Sequence, residues 1–412
     1  MQNIIYVCNE SPVNGNITDS TMKFETIINN MRDMRKIMIL AVAVVTMACS
    51  SSPLASTTPI ASTAKTVNNF AIKRGTNISH WLSQSTERGE ARRQHIKEDD
   101  FARLEELGFD FVRLPIDEEQ FWDEQGNKLP EAWQLLTQAL NWAGKHHLRT
   151  IVDMHVIRSH HFNAVNEGKE NVLFTSDEAQ QSYINMWYEL SDVLKTYSTD
   201  SVAYELMNEP VADEHEQWNQ LIIKVHKALR EREPQRTLVI GSNKWQGTWT
   251  FKYLRIPEGD KNIILSFHYY EPQALTHYGA PWTPIGEYSG KLTYPGRLIS
   301  QADYDASSES LKPILTQYAS EWNRERIAQD FRDAIAVAKK YDVQLYCGEW
   351  GVYEPVDREL AYNWTRDMLW VFDKYNIAWA SWCYDNDFGF WDQKSQSFKD
   401  RPLVDLLTGK KK

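Results

Sequence analysis

From about residue 67 onward, short apolar runs alternate with longer stretches in which apolar positions recur every three or four residues. The short runs are Phe70 to Ile78, Phe109 to Ile116, Arg149 to His155, Val202 to Met207, Thr237 to Ser242, Ile263 to Tyr270, Val343 to Gly348 and Ala378 to Tyr384. Their length and their β-branched and aromatic content predict strands. The longer stretches predict helices over about 92–107, 130–146, 177–196, 216–232, 321–340 and 358–375. A helical turn is expected near Phe251, and a short last helix over Pro402 to Leu407. Gly108 stands where the first helix needs a C-cap, and Pro130 is a favoured first-turn residue for the second.

Eight strands alternating with helices imply a parallel sheet. Closed on itself, that sheet is a (β/α)8 TIM barrel, an α/β fold in a single domain over 67–412. A doubly wound open sheet is the alternative, but no glycine-rich turn follows the first strand. The stretch 271–320 holds Pro272, Pro281, Pro284, Pro295 and many tyrosines, and reads as an extended loop after the sixth strand. Long ordered loops are usually functional.

Ahead of residue 67 the pattern changes. Arg35 and Lys36 precede an apolar run from Ile37 to Met47, which is short for a bilayer span and the right length for an export signal. Ala48 and Cys49 follow, then Ser50, Ser51 and Ser52. This resembles a bacterial lipoprotein signal with Cys49 as the lipidated residue. Thr46 and Met47 depart from the usual pattern, so plain secretion is the alternative. Residues 1–33 suit no export signal and read as a leader, with Met31 or Met34 as the start; 34–49 is then the signal peptide. Residues 50–66, rich in Ser, Thr, Ala and Pro, read as a flexible tether.

A net charge of -11 argues against a nucleic-acid partner, because no cationic excess is available to displace counterions from phosphates. Four cysteines rule out a disulfide scaffold. Cys347 lies two residues before Glu349 and is expected to point into the barrel with it, whereas Cys383 should point away; both are expected to be free, buried thiols.

In a barrel the chemistry sits at the C-terminal ends of the strands. Those ends carry Arg113, His155, Asn208 with Glu209, His268 with Tyr270, Glu349, and Trp382. A metal hydrolase would gather several His and Asp there; this chain offers two Glu from opposite parts of the barrel. Two carboxylates, an Arg, an amide, a Tyr and a Trp suit retaining glycoside hydrolysis, where one carboxylic acid protonates the leaving oxygen and one carboxylate attacks the anomeric carbon. Arg113 and Tyr270 can hold Glu349 ionised, while Glu209 has less positive charge to keep it so. Alone, each residue has a plainer reading: His155 as a core histidine supported by Asp153, or Asn208-Glu209-Pro210 as a helix N-terminus.

Taken together and in order, the segments resemble glycoside hydrolase family 5, the cellulase family. They are ELMNEP at 205–210, FVRLP at 111–115, DMH at 153–155, FHYY at 267–270, GEWG at 348–351 and ASWCYDN at 380–386. The resemblance implies Glu209 as acid/base, Glu349 as nucleophile, Asn208 on the sugar 2-hydroxyl and Tyr270 touching the nucleophile. It also implies Arg113 beneath the nucleophile, His155 and His268 orienting sugar and acid/base, and Trp382 as the floor beneath the cleaved sugar. Trp379, three residues earlier, is the competing alignment for that floor. In the loops, Trp81, Trp245, Trp249 and Trp391 are candidates for stacking on sugar, and His160 with His161 for contacting it.

The expected protein is a retaining endo-β-glycanase on β-1,4-linked glucan, exported to the cell envelope as a surface lipoprotein or secreted. Its partner is a polysaccharide or oligosaccharide substrate. No cofactor and no metal are expected, a monomer is, and membrane contact comes only through the lipid anchor. The alternatives are mannan, xyloglucan or β-1,3-glucan specificity, exo-acting β-glucosidase action, and a non-catalytic glycan-binding lipoprotein. The presence of both glutamates argues against the last.

Overall fold

Eight parallel strands form at the eight predicted positions: β1 (Arg74–Asn77), β2 (Phe111–Asp117), β3 (Arg149–Val156), β4 (Val202–Glu205), β5 (Leu238–Gly241), β6 (Ile263–His268), β7 (Gln344–Glu349) and β8 (Ala378–Ser381). Each pairs with its neighbour in chain order, and β8 closes on β1 through Arg74 opposite Trp379. The computed structural model describes residues 68–163 and 171–409. The expected leader, signal peptide, Cys49 and tether lie outside the described residues.

Side chains alternate across each strand, so every second residue enters the barrel. The lower interior is an apolar plug of Phe70, Ile72, Phe111, Ile151, Ala203, Val239, Ile264, Tyr346, Ala378 and Ala380. Gly75 makes room for the Phe111 ring, which a Cβ at 75 would meet at 2.5 Å. Two residues further along, the same strands present Arg113, Asp153, Glu205 and Ser266, all fully buried. A charged storey therefore rests directly on an apolar one. A second, larger core lies between the strands and the helices around them.

The helices depart from expectation where a core residue interrupts them. The first predicted helix is two, α1 (Glu90–His95) and α2 (Glu98–Leu107), because Ile96 is extended and fully buried between them. Gly108 caps α2 at φ 83°, as its position required. Next come α3 (Pro130–Lys145), α4 (Asp177–Leu194) and α5 (His215–Arg232). The stretch predicted as a helix over 321–340 opens instead with two residues of strand, Glu321–Trp322, and then splits into α6 (Arg324–Asp330) and α7 (Arg332–Tyr341) around buried Phe331. The fold ends with α8 (Arg358–Tyr375) and α9 (Arg401–Thr408).

The 271–320 stretch is more ordered than an extended loop. It holds short helices at Gln273–Thr276, Gln301–Ala306 and Lys312–Leu315, and Gly296–Arg297 pairs with Glu321–Trp322. Its tyrosines anchor it: Tyr294 donates to Asp367 on α8 at 2.8 Å, and Tyr288 and Tyr318 are buried.

Cys347 and Cys383 are free and buried, as expected. The reason given for Cys347 needs correction. It packs outward, in the core between sheet and helices, while Tyr346 faces the barrel. A register shift opposite Phe267 and His268 pairs Cys347 and then Glu349 with successive residues of β6, so strict alternation fails there.

Candidate active site

Arg113 organises the mouth of the barrel. It follows the plug residue Phe111 by two positions on β2 and is fully buried. Its Nε donates to Glu205 at 2.7 Å, and its Nη1 to Asn77 at 2.9 Å and Glu349 at 2.8 Å. Its Nη2 reaches Asn208 at 2.8 Å and Asp153 at 3.0 Å. Burial alone would ease its proton off, but the carboxylates of Asp153, Glu205 and Glu349 raise its pKa well above the ordinary value. The acids around it outnumber it. Burial pushes Asp153 and Glu205 up to about 7 each, with Arg113 pulling the other way.

Glu349, at the end of β7, is 5% exposed. One of its oxygens accepts from Arg113, and the other from the Tyr270 hydroxyl at 3.0 Å. Burial raises its pKa, and Arg113 draws it back. Glu209 lies beyond the end of β4, in a turn whose Asn208 N donates to Met154 O at 3.0 Å. Its carboxyl Oε1 meets the Nδ1 of His268 at 2.8 Å. Burial takes the pKa of that imidazole well below the usual value. Burial, and then the charge of Glu349, push Glu209 well above the carboxylate range. Carboxylate oxygens of Glu209 and Glu349 and a ring nitrogen of His268 lie within 4.8 Å of one another. Such a trio could ligate a cation, but both oxygens of Glu349 already accept from Arg113 and Tyr270. The arrangement is better suited to sharing a proton between two acids.

Trp382 follows β8 and lies flat against His155, with ring centroids 5.7 Å apart and an angle of 6° between the planes. His80 meets it edge-on at 5.9 Å. His155 pairs through Nδ1 with Asp153 at 2.8 Å, and burial lowers its pKa to about 3. Trp379 points the other way, into the outer core against Phe109, Trp350 and Phe372. Of the two competing tryptophans, Trp382 is therefore the one at the mouth.

The structure thus brings together Arg113, His155, Asn208, Glu209, His268, Tyr270, Glu349 and Trp382. Two other expectations are corrected. Trp81 is 1% exposed, donates its indole N–H to Arg92 O at 2.8 Å and packs in the outer core, so it offers no free face to a sugar. His160 is likewise buried; its Nε2 accepts from Val211 N at 3.3 Å and its ring stands edge-on to Phe174. It supports the turn after Glu209 from behind. Of the other loop tryptophans, Trp391 is buried beneath Arg103, Trp245 is half-buried, and Trp249 is exposed.

Sequence reasoning missed Asn77, Glu205 and Gln246. Asn77 donates to Gly348 O and Ser381 O while accepting from Arg113, tying β1 to β7 and β8. Strand alternation could have found Asn77 and Glu205, which each stand two residues beyond an interior position. It missed, too, an aromatic group from three loops: Trp282, half-exposed, stands edge-on to Tyr353 at 4.9 Å, and Phe388 connects both to Tyr270. No periodicity marks loop residues of that kind.

Residues 66–388 match the family model described as Cellulase (glycosyl hydrolase family 5). The chain is 28% identical over 351 residues to Endoglucanase C of Acetivibrio thermocellus, covering 83% of this chain and 99% of that protein. It is 28% identical over 309 residues to Cellodextrinase A of Ruminococcus flavefaciens, covering 74% and 84%. A solved endoglucanase structure superposes with a TM-score of 0.66 at 25% identity, covering 83% of this chain and 98% of that one.

Proposed function

The chain belongs to glycosyl hydrolase family 5, the cellulase family, and on that premise we propose that it is a retaining endo-β-glucanase acting chiefly on β-1,4-linked glucan. Among its relatives, the names Endoglucanase C and Cellodextrinase A support the substrate. The observation that carries the mechanism is the separation of the two acids, whose nearest oxygens lie within 4.8 Å. Retaining enzymes keep their carboxyls about 5–5.5 Å apart, whereas inverting enzymes need about 6.5–9.5 Å to admit a water.

Glu349, held by Arg113 and Tyr270, attacks the anomeric carbon. Glu209 gives its proton to the departing glycosidic oxygen. Glu349 is then an ester and carries no charge, so part of what raised the pKa of Glu209 is gone. Glu209 can next take a proton from the water that cleaves the ester, which restores both groups. Asn208 has its Oδ1 committed to Arg113, which leaves its Nδ2–H groups to meet the 2-hydroxyl of the sugar. Trp382, backed by His155, forms the floor of that subsite. The pattern at 34–49 supports export, with Cys49 as the lipid anchor; Cys49→Ser should then release the protein from the membrane fraction.

Purified protein offered carboxymethyl cellulose, galactomannan, xyloglucan and β-1,3-glucan tests the substrate. Viscosity of the carboxymethyl cellulose should fall well ahead of the release of reducing ends. Faster cleavage of another glycan would overturn the glucan assignment, and parallel viscosity and reducing-end curves would overturn the endo assignment.

A further inference from the structure

The turn that carries Glu209 is held from one side by the segment after β5. Asn243 clasps Ala212, accepting from its N and donating to its O, both at 2.9 Å. Trp245 N donates to Pro210 O at 3.2 Å. Gln246, fully buried, donates its amide to Glu205 at 2.9 Å, to Met207 O at 3.2 Å and to Asn208 O. To aim these groups, Lys244, Trp245 and Gln246 all take left-handed backbone angles, with φ of 57°, 58° and 54°. Three successive non-glycine residues in that region are strained, and such strain persists only where the surroundings impose it. Gly241 belongs to the same device: a Cβ there would stand 2.2 Å from the Gln246 side-chain carbonyl carbon.

We propose that Gln246 is a positioning residue for proton transfer by Glu209. Its Nε2 meets three acceptors, two main-chain carbonyls and a carboxylate. A carboxylate in its place would repel them, and an alkyl group would leave them unpaired. Through this amide the turn at 207–208 is tied to Glu205, and Glu205 is tied to Arg113. The turn of the acid and the cation beneath its partner Glu349 are thereby fixed to each other. Gln246 is fully buried and acts through the turn; it sets where the proton of Glu209 points.

The inference rests on Glu209 being the proton donor, and its test keeps the two apart. The kcat/KM of Gln246→Leu, Gly241→Ala and Glu209→Ala is measured on cellopentaose, whose leaving sugar needs a proton, and on 2,4-dinitrophenyl β-cellobioside, whose leaving group needs none. Gln246→Leu should lose about 30-fold on cellopentaose and under about 3-fold on the aryl glycoside, since misplaced acids lose on the order of 10–100-fold. Gly241→Ala, which keeps Gln246 and crowds it, should show the same split. Equal losses on both substrates, no loss on either, or failure of both variants to fold would overturn the role of Gln246 while Glu209→Ala still shows the split. If Glu209→Ala shows no split, the acid assignment falls and this proposal falls with it.

Discussion

The two sides of the barrel mouth treat the same side chain differently. At the end of β7, Glu349 meets a guanidinium at 2.8 Å and a phenol at 3.0 Å. In the turn after β4, Glu209 meets the His268 imidazole at 2.8 Å, whose pKa burial lowers, and feels the charge of Glu349. Burial raises both acids, but only Glu349 has a cation in contact to oppose it. On the proposed mechanism, this difference is what lets one residue type supply both an anion and an acid. The neighbours decide, and the neighbours are set by strand register.

Removing the β7 side should cost the most. Glu349→Gly should lower turnover by on the order of 10⁵-fold, because no other group can form the covalent bond. Added azide should restore part of it and yield the α-glycosyl azide, read by NMR. Glu209→Ala should be milder, losing about 10³-fold on polysaccharide while aryl glycosides with good leaving groups keep their first step. Azide should then give the β-azide. Exchange of the two azide configurations would show that the two sides had been assigned the wrong way round.

The pair Trp379 and Trp382 separates packing from chemistry within one strand. Trp379→Ala opens a cavity in the outer core and should cost about 3–5 kcal/mol of stability, read by denaturant unfolding. Trp382→Ala, which lies outside that core, should cost less in unfolding than Trp379→Ala, and about 1–3 kcal/mol in kcat/KM. The smallest expected effect sharpens the comparison itself. Tyr270→Phe removes one hydrogen bond from the Glu349 carboxylate. A carboxylate with one donor fewer holds its proton to higher pH. The acid limb of the kcat/KM profile should therefore move up, and the alkaline limb, which reports Glu209, should stay.

These contrasts show where the sequence was legible. Arg113, Asp153, His155 and His268 follow strict alternation from plug residues of the same strands, so their placement could be read from spacing alone. Glu349 and Glu209 could not. Glu349 faces inward through a register shift, and Glu209 lies past the end of its strand; the motifs around them carried both. Loop residues failed for a related reason. Trp81 and His160 lie in turns, where no period says which way a side chain points, and both turned into the core. Gln246 had no signal, because its left-handed backbone is found in residues that usually avoid it.

The most direct test of the account is the configuration of the first product. Wild-type enzyme acting on cellopentaose, followed by ¹H NMR from the first minute, should release new reducing ends as the β anomer, with the α anomer appearing later at the rate of mutarotation. The proposed double displacement gives that outcome, since each of its two steps inverts the anomeric carbon once. An α anomer appearing first would contradict the account, because it would mean that water attacks directly and that Glu349 is a base.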